Sequence, residues 1–247
     1  MKKFIHNLLA KRGLKLIPNA SGVATDMDPA FRPLFETSKA YTMTSPNSMY
    51  ALFEAVKYVH EAQIPGDIVE CGVWKGGSAM IAAKTLSSLG STSRKLYLYD
   101  TFEGMPEPGD EDVKIRTGIA GKETWKEKQE TGGWARAGLV EVQKNMSTTA
   151  YPQENIVFVE GMVEDTIPDT IPEQISILRL DTDWFASTYH ELTHLFPRLS
   201  SGGVLIIDDY GSWAGSKKAT DQYFKENNIH MLLQRVDTGR VGVKMPQ

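Results

Sequence analysis

Four aspartates follow two apolar runs that predict β-strands. Asp181 and Asp183 come after the first of these runs, and Asp208 and Asp209 come after the second. Carboxylates held close together repel one another unless they are protonated or bound to a cation. Their oxygens suit a hard divalent ion such as Mg²⁺, whose remaining positions are taken by water or substrate oxygens. We therefore predict a metal site at Asp181, Asp208 and Asp209, with solvated turns as the alternative.

A glycine-rich turn between a strand and a helix forms a second candidate site. The strand ends at Glu70, the turn occupies residues 72–78, and the run 79–86 predicts the helix. Glycines let the backbone approach a ligand and a helix start has free N–H groups, so the turn predicts a nucleotide-sized binding site. It lacks the pattern of a P-loop and the G-x-G-x-x-G of dinucleotide sites. Glu70, with Asp100 at the end of the next strand, favours S-adenosylmethionine, whose ribose hydroxyls Asp100 can bind.

Strands and helices alternate along most of the chain, and two further strands close it. This order predicts an α/β, Rossmann-like fold, with a mostly parallel seven-stranded sheet, helices on both faces and a C-terminal antiparallel hairpin. Ligands of such sheets bind outside the carboxyl ends of the strands, where the acidic clusters fall. After the strand that ends at Glu70, the predicted strands are 95–100, 155–161, 175–180, 203–207, 229–236 and 240–244.

The chain divides into an N-terminal extension, residues 1–45, and a main domain, residues 46–247. The first twelve residues predict a short amphipathic helix that packs on a partner subunit or on the main domain. Residues 17–40 are rich in proline and predict an irregular arm. Residues 104–133 are polar and lack periodicity, which is typical of a lid or binding loop over the acceptor site. Helical spacing returns in residues 134–146.

Composition excludes several classes of protein. The net charge of −4 and the absence of a Lys/Arg run argue against nucleic-acid binding. The apolar runs are too short to span a membrane. The single cysteine, Cys71, cannot form an internal disulfide, which predicts a reducing cytoplasm. His190 and His194 do not follow the HExxH order of a zinc site. The N-terminal helix and arm favour a homo-oligomer.

In the motifs around the two candidate sites, the chain resembles the TylF-type macrocin O-methyltransferase family, whose studied members methylate sugar hydroxyls of macrolide antibiotics. The resemblance covers roughly residues 42 to 226. It implies a class I methyltransferase fold, S-adenosylmethionine and Mg²⁺, with Asp181, Asp208 and Asp209 as metal ligands. The four motifs that carry it are residues 69–78 (VECGVWKGGS), 99–106 (YDTFEGMP), 178–183 (LRLDTD) and 208–210 (DDY).

This reading assigns roles to the residues around both sites. A carboxylate near the metal would accept the proton of the acceptor hydroxyl, and the sequence does not choose between Asp181 and Asp183. The acceptor is expected to be a small molecule with vicinal hydroxyls, in particular a sugar of a glycosylated natural product. The expected cofactor-binding residues are Met43, Glu70, Gly72, Ser78, Asp100, Thr101, Phe102, Gly161, Met162 and Asp181.

Three other functions remain open at this point. A metal-dependent methyltransferase of catechols or phenols would use the same fold, metal and vicinal oxygens. An NAD-linked oxidoreductase would share the sheet, although its glycine pattern is missing. A non-catalytic cofactor-binding protein would have no need of the acidic trio, which argues against it.

Overall fold

The structure, a computed structural model, describes residues 22–246 and places seven strands in one sheet. The strands are β1 (Asp67–Cys71), β2 (Leu96–Asp100), β3 (Ile156–Glu160), β4 (Ile175–Leu180), β5 (Leu199–Ile207), β6 (Gln234–Val236) and β7 (Gly239–Val243). Their order is β3-β2-β1-β4-β5-β7-β6; β1 to β5 are parallel, and β7 runs antiparallel to both β5 and β6. The predicted fold class is confirmed. Only the last part of the strand predicted at 229–236 is a strand.

Helices cover both faces of the sheet. They are α1 (Phe31–Glu36), α2 (Pro46–Glu61), α3 (Gly77–Ser88), α4 (Gly121–Glu130), α5 (Leu139–Ser147), α6 (Val163–Thr166), α7 (Phe185–Leu195) and α8 (Ala214–Glu226). Helices α1, α2, α3 and α5 contribute to the core on one face, and α6, α7 and α8 to the core on the other. Within the described residues, no helix is long and apolar enough to cross a membrane.

Helix α2 begins where the sequence predicts it. Ser45 is the N-cap, and its hydroxyl accepts a hydrogen bond from the backbone N–H of Ser48 at 3.1 Å. Pro46 occupies the first helical position, where its missing N–H costs no hydrogen bond. The apolar residues that recur with helical spacing, among them Met49 and Val56, are fully buried. This helix therefore fixes the segment 41–45 beside the ends of the strands.

The register of the sheet brings the acidic residues together. Cys71 of β1 lies opposite Leu180 of β4, and Leu180 lies opposite Ile207 of β5. Asp181 and Asp208, which come next after β4 and β5, therefore lie at the same level of the sheet. The backbone N–H of Asp208 donates to the carbonyl of Leu180 at 2.9 Å, so that Asp181 and Asp208 leave the sheet side by side.

The irregular arm predicted for residues 17–40 belongs in part to the core. Phe31 and Phe35 of α1 are buried, and the Phe31 ring packs against Tyr50 with ring centroids 5.2 Å apart. Pro33 lies in the first turn of α1, where it breaks no helical hydrogen bond. The proline content was therefore misleading here. The helix predicted for the first twelve residues lies outside the described part of the chain.

The insertion 104–133 also contains more regular structure than the sequence predicts. Helix α4 lies within it and was missed because Trp125 is its only large apolar residue, so that it shows no apolar period. The Trp125 indole N–H donates to the carbonyl of Met105 at 2.9 Å. The Asp112 carboxylate is buried and accepts hydrogen bonds from the backbone N–H of Phe185 at 2.8 Å and of Gly109 at 2.7 Å. Asp112 thus anchors the insertion to the start of α7.

The helix predicted over residues 134–146 begins later, at Leu139. The carbonyl of Trp134 accepts a hydrogen bond from the backbone N–H of Met105 at 2.9 Å. Ala135 has a φ of 51°, in the left-handed region that helices avoid. This stretch therefore pairs with the start of the insertion before α5 begins.

The contact between Asp112 and Gly215 of α8 gives a first prediction. A Cβ added at Gly215 would lie 1.8 Å from Asp112 Oδ1, so Gly215→Ala is expected to displace the anchor. Gly215 is the second residue of α8, so the about 0.5–1 kcal/mol by which alanine favours a helix interior does not fully apply here. Gly215→Ala should therefore lower the melting temperature and speed proteolysis within 104–133. Gly138→Ala is the matched control, because an added Cβ there meets nothing within 4 Å. Equal behaviour of the two variants would contradict this account.

Candidate active site

Two pockets adjoin at the carboxyl ends of the parallel strands. They share one wall, formed by Met43, Trp74, Asp181 and Asp183. The first pocket extends from this wall towards the ends of β2 and β3, and its lining is mostly apolar. The second pocket extends towards β5 and the β6–β7 turn, and its lining is rich in carboxylates and hydroxyls. Molecules bound in the two pockets would therefore meet at the shared wall.

Most of the predicted cofactor-binding residues line the first pocket. The other three lie elsewhere: Glu70 faces Arg179, Ser78 lines the second pocket, and Phe102 is buried in the core. Trp134, which the sequence did not single out, also lines the first pocket. The predicted residues that do line it are Met43, Gly72, Asp100, Thr101, Gly161, Met162 and Asp181.

The glycine turn is held in place by Asp100 and by its own glycine. Gly72 has a φ of 84°, and a Cβ there would lie 2.0 Å from the carbonyl oxygen of Asp181, so no other residue fits. Asp100 Oδ2 accepts the backbone N–H groups of Val73 at 2.7 Å and Trp74 at 2.9 Å. Asp100 Oδ1 accepts the backbone N–H of Phe102 at 2.8 Å, and the nearby Thr101 hydroxyl gives its one proton to the Gly104 carbonyl at 2.7 Å. A carboxylate has about four acceptor sites, so Asp100 retains one for a ligand hydroxyl.

Arg179 connects the carboxylates at the ends of β1, β4 and β5. Its guanidinium is 3% exposed and donates to Glu70 at 2.8 Å, to Asp181 at 2.7 Å and to the Thr44 hydroxyl at 3.0 Å. It also pairs with Asp208 at 3.3 Å. Burial alone would lower the pKa of Arg179, but the charges of Asp181 and Asp208 outweigh burial and raise it. The sequence signal for this role was an arginine within an otherwise apolar strand.

The predicted metal ligands lie close together. Oxygens of Asp181, Asp208 and Asp209 all fall within 4.8 Å of one another. Asp209 is 9% exposed, and its Oδ2 has no hydrogen-bond partner among the described residues. Burial and the charges of Asp183 and Asp208 raise the pKa of Asp209 well above its ordinary value. An orphaned buried carboxylate oxygen among repelling acids fits a divalent cation.

Asp183, like Asp181, lines both pockets. Its φ of 66° turns the chain sharply after β4, and unlike Asp181 it makes no ion pair with Arg179 among those found. Burial and the charge of Asp181 raise the pKa of Asp183 to about 7, although hydrogen bonds with the side chains of Asp209 and Trp213 oppose this shift. Asp183 therefore lies where a proton acceptor would reach both ligands.

The rim of the second pocket includes Asp237 and Thr238 of the β6–β7 turn, for which the sequence indicated no role beyond the turn itself. Asp237, in the β6–β7 turn, accepts hydrogen bonds from the Ser45 hydroxyl and from the Asn47 amide, the latter at 3.1 Å. Thr238 beside it accepts the backbone N–H of Gly211 at 2.8 Å. No sequence pattern indicated that this turn would reach α2 and the pocket.

Glu70 gives a prediction on stability and pH. Burial raises the pKa of Glu70 to about 7, although the charge of Arg179 opposes the shift. The folded protein therefore holds this proton more tightly than the unfolded chain, whose carboxyl has a pKa near 4.5. Glu70 therefore contributes at most about 3 kcal/mol to the free energy of unfolding. This contribution is complete below about pH 4.5 and is lost as the pH rises through about 7.

Thermal unfolding of the metal-free protein between pH 5 and 8 tests this expectation. The melting temperature of the wild type should fall more steeply with pH than that of Glu70→Gln, which keeps the side-chain shape and cannot ionise. Parallel curves for the two proteins would show that Glu70 keeps an ordinary pKa.

The family model described as macrocin-O-methyltransferase (TylF) matches residues 22–244. The chain belongs to this family. It is 32% identical over 210 residues to the 8-demethyl-8-(2,3-dimethoxy-α-L-rhamnosyl)-tetracenomycin-C 4′-O-methyltransferase of Streptomyces olivaceus. The matched region covers 85% of this chain and 77% of that protein. It is also 32% identical over 198 residues to the mycinamicin III 3″-O-methyltransferase of Micromonospora griseorubida, with 80% and 76% covered. The structure of the O-methyltransferase NovP superposes with a TM-score of 0.74 at 28% identity and covers 83% of each chain.

Membership of the macrocin O-methyltransferase family confirms the resemblance found in the sequence motifs. The protein is an S-adenosylmethionine-dependent O-methyltransferase with a class I fold. The oxidoreductase and the non-catalytic protein considered from the sequence are thereby excluded.

Proposed function

We propose that this O-methyltransferase methylates a sugar hydroxyl of a glycosylated natural product, with Mg²⁺ bound at the acidic trio. The observation that carries the proposal is the wall shared by an apolar pocket and a pocket lined by carboxylates and hydroxyls. The names of two relatives describe methylation of a rhamnosyl tetracenomycin and of mycinamicin III, which supports a sugar-bearing acceptor.

The first pocket is the proposed donor site. Asp100 keeps one acceptor site for a ribose hydroxyl, and Gly161 and Met162 lie at the end of β3, where an adenine would fit between apolar surfaces. Met43 and Trp74 belong to both pockets, so the donor methyl group would lie beside them, facing the second pocket.

The second pocket is the proposed acceptor site, with Asp183 as the base. Asp181 is engaged by Arg179, whereas Asp183 lines both pockets without that ion pair. The acceptor hydroxyl gives its proton to the Asp183 carboxylate, its oxygen bonds to the methyl carbon, and the bond from that carbon to the donor sulfur breaks. Alignment of the reactants can contribute roughly 7–11 kcal/mol.

Three aspartates of this chain, Asp181, Asp208 and Asp209, would hold the cation. When bound, a divalent cation lowers the pKa of a coordinated hydroxyl and fixes its direction. Arg179 holds Asp181 and Asp208 from behind and limits the repulsion between them.

Two further properties belong to the proposal. The single cysteine, Cys71, is buried and free, which suits a reducing cytoplasm. The N-terminal residues are proposed to contribute to a homo-oligomer.

Labelled methyl transfer tests the proposed function. S-adenosylmethionine binding is measured first by calorimetry, and transfer is then compared on methyl α-L-rhamnoside and on catechol, each with Mg²⁺ or with a chelator. We expect micromolar donor binding and magnesium-dependent transfer to the rhamnoside. Transfer to catechol alone would replace the sugar by a phenol as acceptor, and transfer that is equal in chelator would remove the metal from the proposal.

A further inference from the structure

The charged residues that line the second pocket are all acidic. Five carboxylates line it, and among the described residues no lysine, arginine or histidine does. One of these carboxylates belongs to Asp209, whose unpartnered Oδ2 is buried. A divalent cation would offset two of the five charges, and Arg179, behind the pocket, offsets one more. The pocket therefore keeps a negative charge even with the cation bound.

Asp237 supplies the part of this charge that lies farthest along the chain from the metal ligands. Its carboxylate is held at the rim by Ser45 and Asn47, which belong to the start of α2. Two neighbouring arginines do not compensate it in the pocket. Arg235 donates to the carbonyl of Asp237 at 2.7 Å, and Arg240 donates to the carbonyl of Gly239 at 2.8 Å, and neither lines the pocket.

We propose that Asp237 is a specificity-determining residue of the acceptor pocket, which selects uncharged sugars against sugars that carry a phosphate or a carboxylate. The inference rests on the proposed function. Hydroxyls of Ser45, Ser48 and Thr238 share the rim with Asp237 and can exchange hydrogen bonds with a sugar. An anionic group brought to the same rim would meet the like charge of Asp237, and no lysine, arginine or histidine of the described residues lines the pocket there.

A matched pair of acceptors tests the proposal. Methyl α-L-rhamnoside and α-L-rhamnose 1-phosphate differ at the anomeric substituent, and kcat/KM for labelled methyl transfer is measured for each. We expect the wild type to prefer the uncharged rhamnoside by about a hundredfold, and Asp237→Asn to reduce this preference about tenfold. Asparagine keeps the side-chain shape and tolerates the left-handed conformation of residue 237, which has a φ of 50°.

Salt separates an effect of charge from an effect of shape. The preference of the wild type should weaken as NaCl rises from 20 to 500 mM, because screening shortens the reach of exposed charges to roughly 4–10 Å over much of this range. The preference of Asp237→Asn should depend less on salt. Asp169→Asn, an exposed aspartate outside both pockets, is the control and should behave as the wild type.

The outcomes are distinct. An unchanged preference in Asp237→Asn, or a wild type that uses the phosphate as well as the rhamnoside, would overturn the role of Asp237 and leave the proposed function in place. Failure of the wild type to methylate either sugar would overturn the proposed function and this inference with it.

Discussion

Replacing Asp209 by asparagine is expected to lower magnesium-dependent methyl transfer about a thousandfold, equivalent to about 4 kcal/mol of transition-state stabilisation. The reason is that Asp209 offers a buried carboxylate oxygen with no other partner in the described structure. Because Asp209 lines the second pocket and not the first, S-adenosylmethionine should bind to the variant with nearly unchanged affinity. Steady-state kinetics and calorimetry measure the two effects separately.

In the metal-free protein, Asp209→Asn is expected to raise stability. Burial and the charges of Asp183 and Asp208 raise the pKa of Asp209, so its ionised form costs the folded state free energy. In chelator at pH 8, Asp209→Asn should melt at a higher temperature than the wild type, by about 2–4 °C for each kcal/mol that the substitution adds to the free energy of unfolding. Added Mg²⁺ should stabilise the wild type and not the variant.

Asp165→Asn provides the control, since this aspartate is exposed and lines neither pocket. Equal loss of donor binding and turnover in Asp209→Asn would mean that the two pockets are not functionally separate. A variant that still responds to Mg²⁺ as the wild type does would remove Asp209 from the proposed metal site.

Removal of the Arg179 side chain is expected to have the largest effect on stability. Arg179→Met leaves Glu70, Asp181 and Asp208 in the protein without their shared cation. Breaking a buried ion pair by removing one partner typically costs about 3–5 kcal/mol, and three acids lose their partner here. Denaturant unfolding at pH 8 should show a loss of this size.

The dependence on pH identifies the cause of that loss. Burial raises the pKa of Glu70 and of Asp181, so at pH 5 more of these two carboxyl groups are protonated in the folded state, and Arg179→Met should lose less stability there than at pH 8. Arg179→Lys keeps a positive charge but cannot contact several acids with one planar group. Its free energy of unfolding should therefore lie between those of the wild type and Arg179→Met. Arg32→Met, on the exposed surface of α1, is the control. A loss that is equal at both pH values would point to lost packing instead.

The sequence predicts the sheet well because its signals are local. Apolar runs such as 175–180 and 203–207 end in acids, and alternation with helices fixes the parallel order. The acids after β4 and β5 could be placed together for the same reason. Helix α4 escaped notice because a helix made of polar residues carries no apolar period, and α1 because Pro29 and Pro33 resemble an irregular segment.

Contacts between distant parts of the chain could not be predicted in this way. Arg179 reaches Thr44, 135 residues away along the chain, and Asp237 reaches Ser45, 192 residues away. Such pairs depend on how α2 and the β6–β7 turn pack above the sheet, and no spacing rule describes that packing. Asp100 illustrates the same limit, since its position at a strand end predicts a ligand contact but not its bonds to the glycine turn.

The wall shared by the two pockets also matters for inhibitor design. A molecule that joins a donor-like part to a sugar-like part would pass Met43 and Asp183 and fill both pockets at once. Binding of the first part would hold the second at a high effective concentration, so the linked compound can exceed either part in affinity by about 10²–10⁴-fold. The length of the linker is set by the thickness of this wall, because a linker that cannot span it gains nothing.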